Sequence, residues 1–215
     1  MKGNKTVFLF LLSVCMVFLS GCEKGGKIRN DMRNVEERDY ATILLVSDGE
    51  DGKRYQFSLG IAQEKKVGEK SQIEELSKWN CNDFEELARE YQLVKGKDLS
   101  LSHLKVILLS MEQMGIMEEM QEFLYLLDEN VEVAKTCPVL ELKEKDRFLK
   151  YLKKAEEPVG TYLNNMMEAG KRQGRNIPWL KDYLKALREG TDVEVYFLEK
   201  VSEGWELRCR KLIKT

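Results

Sequence analysis

Residues 104–128, LKVILLSMEQMGIMEEMQEFLYLLD, decide the fold. Leu104–Leu109 (LKVILL) is a compact apolar run rich in branched side chains, which reads as a buried strand. Ser110 with Gln113 three residues on offers a capping box. Ile116, Met120, Phe123 and Leu127 then share one helical face as far as about Asp128. A buried strand followed at once by an amphipathic helix points to an α/β fold.

The pattern extends in both directions. Upstream, Tyr40–Ser47 (YATILLVS) is a second buried strand. Turn residues Asp48-Gly49-Glu50-Asp51-Gly52 follow it. In 53–63 (KRYQFSLGIAQ), Tyr55, Phe57, Leu59 and Ile61 alternate onto one face, so the two runs form a hairpin or an adjacent strand pair. Residues 64–77 are charged and poorly patterned. Asn82 with Glu85 marks a helix start, and Phe84, Leu87, Ala88 and Tyr91 supply its apolar face. Downstream, 131–142 (VEVAKTCPVLEL) reads as a strand in which Pro138 implies an edge or a bulge. Phe148, Leu149 and Leu152 mark a short helix. Pro158 opens another whose stripe (Val159, Tyr162, Leu163, Met166, Met167) runs to Gly170. Pro178 starts a helix that ends at Gly190. Val193–Glu199 and Trp205–Leu212 close the chain as two strands joined by a turn at Glu203-Gly204. The expected architecture is one α/β (α+β) domain over residues 39–215. It holds a single mixed sheet of about six strands packed with five or six helices.

Composition limits the chemistry. The 215 residues are 43% hydrophobic and 33% charged, which is ordinary for a globular protein. The formal net charge of −2, with no basic run, argues against a nucleic-acid partner. One histidine excludes any site needing two imidazoles. The five cysteines include no CxxC pair, which removes zinc ribbons and thioredoxin chemistry. GxSxG, Walker A, HExxH and GxGxxG are absent. Carboxylates are abundant, so none can be singled out as an acid/base pair, and the expectation is no cofactor and no metal.

The amino terminus says most about location. Lys2 and Lys5 precede thirteen residues, Val7–Leu19, in which only Ser13 is hydrophilic. At about 1.5 Å per helical residue these span about 20 Å, too short for a hydrocarbon core of about 30 Å. A basic segment and a short apolar segment make a secretory signal. Leu19-Ser20-Gly21-Cys22 then resembles the bacterial lipobox, in which the peptidase cuts before a cysteine that carries a diacylglycerol thioether. Residues 1–21 are therefore expected to be a lipoprotein signal peptide and 22–38 a polar tether. Cys22 is the expected lipid-attachment residue, palmitate among its possible acyl chains. The rest of the chain would sit on the extracytoplasmic face of the cell membrane.

Other candidate groups compete with plainer readings. Met111, Met114, Met117 and Met120 have MxxM spacing, but on a helix their sulfurs fan out rather than converge. That disfavours copper(I) and leaves a methionine-rich partner face beside an ordinary core stripe. Cys81, Cys137 and Cys209 read as buried small hydrophobes, with a disulfide between two of them the alternative. The acidic turn 48–52 lacks EF-hand spacing and reads as a solvated hairpin turn. The basic loop Lys171–Arg175 reads as solvated, with anionic headgroups as its alternative ligand.

The order of elements, with the quoted segments NDFEELAREY, LSHLKVILLS and WLKDYLKALREGTDVEVYFLE, resembles the N-terminal domain of the Ger(x)C spore-germination lipoproteins, the C subunits of nutrient germinant receptors. His103-Leu104-Lys105-Val106-Ile107 matches that family's "GHLKV" segment. The resemblance spans about residues 22–212, with Glu23 and Lys24 standing where the family usually has tryptophan and aspartate. Typical members continue into further C-terminal domains, so the expectation is a shorter relative. It implies a non-enzymatic role in germination at the spore inner membrane, with integral-membrane receptor subunits as partners. It also implies that His103, Leu104, Lys105 and Val106 form a segment for folding or docking. The alternative from the residues alone is an extracytoplasmic lipoprotein that binds a small ligand or envelope partner.

Overall fold

The computed structural model describes residues 37–61, 76–110, 117–155, 159–202 and 204–212. Along the chain these form β1 (Arg38–Asp48), β2 (Tyr55–Ile61), β3 (Ser77–Cys81), α1 (Phe84–Lys95), β4 (Asp98–Ser100), β5 (Val106–Ser110), α2 (Met117–Glu129), β6 (Val139–Leu142), α3 (Lys145–Ala155), α4 (Val159–Arg172), α5 (Leu180–Glu189), β7 (Val193–Lys200) and β8 (Trp205–Leu212). The α/β class and the single mixed sheet are as expected, but the sheet has eight strands rather than six.

Its order is β3-β2-β1-β5-β6-β7-β8, with β4 paired to β1 beside that path. The central strands β1, β5, β6 and β7 are parallel to one another, and antiparallel pairs β1–β2, β2–β3 and β7–β8 extend both flanks. Parallel strands need helical crossovers that cover both faces, and the burial follows. Leu44, Val46, Ile107, Leu109, Val139 and Val195 face a core closed by α1, α2 and α5. Ile43, Leu45, Val106, Leu108, Leu140 and Leu198 face a second core closed by α3 and α4. Ala41 and Leu44, three residues apart, lie on the same side because β1 shifts register against β2 between Ala41 and Ile43.

Several expected boundaries move. The cap of α1 is Asp83 rather than Asn82: the Asp83 carboxylate accepts from the Glu86 N–H at 2.7 Å, while the Asn82 N–H donates to the Glu86 carboxylate. Residues 131–137 form turns, not strand. The N–H of Val133 donates to the Asn130 carbonyl and that of Cys137 to the Ala134 carbonyl. Strand β6 is therefore only four residues long, and it lies inside the sheet between β5 and β7. Pro138 needs no edge there because it precedes the strand and uses only its carbonyl, which accepts from the Ile107 N–H at 2.9 Å. Helix α4 continues past Gly170 to Arg172, and Gly174 takes the left-handed φ of 79°. Gly170 instead permits close packing, since a Cβ there would sit 3.2 Å from the Leu207 side chain. Gly190 ends α5 in the left-handed conformation, as expected. The residues proposed to open α2 and α4, Ser110–Ile116 and Pro158, fall largely outside the described residues.

Candidate functional site

The segment His103–Val106 leads the chain into the centre of the sheet. Strand β4 runs parallel to β1 at Arg38–Tyr40, and β5 runs parallel to β1 again from Ile43 onward. Residues 101–105 bridge the gap between these two pairings. The Leu104 N–H closes a turn onto the Leu101 carbonyl at 3.2 Å, and the Lys105 N–H reaches the Thr42 carbonyl at 2.8 Å. Leu104 is buried among the first core's side chains and Val106 among the second's. The intervening Lys105 points to solvent. His103 is exposed, and its ring stacks on Tyr40 with centroids 4.4 Å apart and planes 20° from parallel. In these four residues, the turn that leads into β5 anchors Leu104 in one core and Val106 in the other, and leaves the imidazole and the cation outside.

The cysteines do not assemble a reactive centre. Cys81, Cys137 and Cys209 are free thiols; Cys81 and Cys137 are buried but Cys209 is exposed, so the expectation of three buried hydrophobes fails at the edge strand β8. Burial pushes the Cys137 thiol up to about 12. Burial, then the Glu86 and Glu90 carboxylates, push Cys81 up to about 11. The Cys137 S–H donates weakly to the Leu104 carbonyl at 3.6 Å, which fixes the base of the His103 segment. Among the described residues no three Cys, His, Asp or Glu side chains converge as metal ligands.

Of the methionines, Met120 is buried in the first core. Met111, Met114 and the side chain of Met117 lie outside the described residues, as does Cys22. The acidic turn is a hairpin turn in which Asp51 and Gly52 both take positive φ, 56° and 77°. Of the expected basic loop, Lys171 and Arg172 instead form the last turn of α4, where Lys171 pairs with Glu168 at 2.8 Å. No helix among the described residues is long and apolar enough to cross a membrane.

Two openings are lined by described residues. A void of about 10 Å³ beneath α2, lined by Leu109, Met120, Leu124 and Val139, is about the size of one water and apolar, too small for a ligand. An open groove of about 590 Å³ lies where the start of α1 faces the end of α2 and the 130–132 turn. Sequence periodicity does not show it, because the groove joins two helices and a turn whose valines alternate as in a strand.

A family model described as the spore germination protein N-terminal domain matches residues 31–197, from ahead of β1 through most of β7. No curated protein and no solved structure matches the chain. The matched span holds β1, β5, β6 and most of β7, the five helices of the described residues and the His103–Val106 entry, so the chain belongs to the spore germination protein N-terminal domain family.

Proposed function

We propose that this protein is a lipid-anchored, non-enzymatic component of the spore-germination apparatus that acts as a germinant-receptor C subunit does. The family match carries the reading. Three sequence features extend it. Leu19-Ser20-Gly21-Cys22 supplies a lipobox, Val7–Leu19 is too short to span a bilayer, and no catalytic motif stands in the chain. Acylated Cys22 holds the domain on the outer face of the spore inner membrane. The domain then docks onto integral-membrane receptor subunits, and confinement to one surface raises their effective concentration. His103 and Lys105, carried outward by a strand entry that Leu104 and Val106 anchor, belong to the docking side of the domain.

Deletion of the gene tests the reading. Spores lacking the protein should respond more slowly or not at all to at least one nutrient germinant, while germination by a receptor-independent trigger stays normal. Affinity purification from detergent-solubilised spore membranes should recover integral-membrane germination subunits. An unchanged response to every nutrient tested, with no such subunit recovered, would refute it.

A further inference from the structure

We infer that the groove between α1 and α2 is a docking site for a basic amphipathic segment of a partner polypeptide. Its floor is apolar: Phe84, Leu87, Leu99, Leu101 and Leu126 line it. Val131, 96% exposed, stands at its lip as the most exposed large hydrophobic residue among those described. The rim is acidic, formed by Asp83, Glu85, Glu129 and Glu132.

These carboxylates differ from their neighbours in one respect. Of the acidic groups next to them in sequence, Glu86 has Lys53 and Asp128 has both Lys135 and Arg188, and Glu122 on α2 has Arg54. Among the described residues none of the four rim carboxylates has a cationic partner. Asp83 and Glu132 accept backbone N–H groups, from Glu86 and Leu101, while Glu85 and Glu129 are exposed. An apolar trough flanked by unneutralised negative charge suits a short apolar ridge flanked by lysine or arginine. The same charge repels the anionic surface of a lipid bilayer, so the chemistry favours a polypeptide over a membrane. The inference rests on the proposed docking role for the partner's biological identity, though the groove's own chemistry can be tested without it.

The test uses the full-length chain in zwitterionic micelles and a synthetic helical peptide with leucine on one face and lysine on the other, beside its lysine-to-glutamate twin. The lysine peptide should bind, with affinity falling as salt rises, and amide shifts should map to residues 83–88, 99–101 and 126–132. The glutamate twin should not bind. The double variant Glu85→Lys/Glu129→Lys should weaken binding by about tenfold or more, whereas Asp146→Lys on α3, on the opposite layer, should leave it unchanged. Equal binding of both peptides, indifference to the rim reversal, shifts mapping elsewhere, or binding of phosphatidylglycerol vesicles through these residues would each overturn the inference. Loss of peptide binding alongside an intact germination phenotype would remove the groove assignment alone. A null deletion phenotype with intact peptide binding would remove the germination role alone.

Discussion

His103 and Leu104 are adjacent in sequence, yet a substitution at each should report on a different property. The His103 ring lies on Tyr40 at the surface, so His103→Ala forfeits one exposed stacking contact and should cost about 0.5–1 kcal/mol. Leu104 fills the first core, and Leu104→Ala leaves a cavity costing about 2–4 kcal/mol. Urea denaturation of the two variants checks the ordering, and a His103→Ala cost equal to that of Leu104→Ala would contradict an exposed, stacked imidazole. Cys137 carries a pH signature. Its folded thiol is held near 12 against an ordinary value of 9.0. Below 9 both states keep the proton and the contribution is constant. As pH rises from about 9 towards about 12 the unfolded thiol ionises first, and stability falls by up to about 1.4 kcal/mol per pH unit. Cys137→Ala should flatten that alkaline limb in a pH series of unfolding midpoints, and an unchanged slope would show that the thiol ionises equally in both states.

At the scale of elements, the Asp83 cap tests why α1 begins where it does. Its carboxylate satisfies the Glu86 N–H, so Asp83→Ala should cost about 1 kcal/mol while Asn82→Ala costs less, measured as the shift in thermal midpoint. Sequence favoured Asn82 because Asn and Asp are both good caps and each has an acid three residues on; only the geometry separates them. The long periodic elements were legible for a physical reason. Strands such as β5, buried from Val106 to Leu109, lie covered on both faces, and helices such as α1 bury one stripe, so burial writes itself into the pattern. Strands β3 (SKWNC) and β4 (DLS) were not legible, because three to five residues carry too little alternation and their pairing with β2 and β1 is set by partners distant in sequence. In 131–137 the alternating valines imitated a strand. The Lys135 ammonium, donating to the Leu127 and Asp128 carbonyls, binds that stretch to the end of α2 instead.

For the whole molecule, the fold class and the family could be read from the sequence, because both are carried by order and spacing of elements within residues 31–197. The acidic-rimmed groove could not, since it forms only where α1, α2 and the turn after α2 meet. The account as a whole depends on the domain working tethered to a bilayer. The proposed tether is one thioether at Cys22, two acyl chains being enough for stable membrane attachment. The direct measurement is metabolic labelling with radioactive palmitate in sporulating cells, comparing wild type with Cys22→Ala. The account predicts label on a membrane-fractionating wild-type protein and none on the variant, which should leave the membrane fraction or remain unprocessed. Equal label on both proteins, or an unlabelled wild type recovered from the soluble fraction, would contradict it.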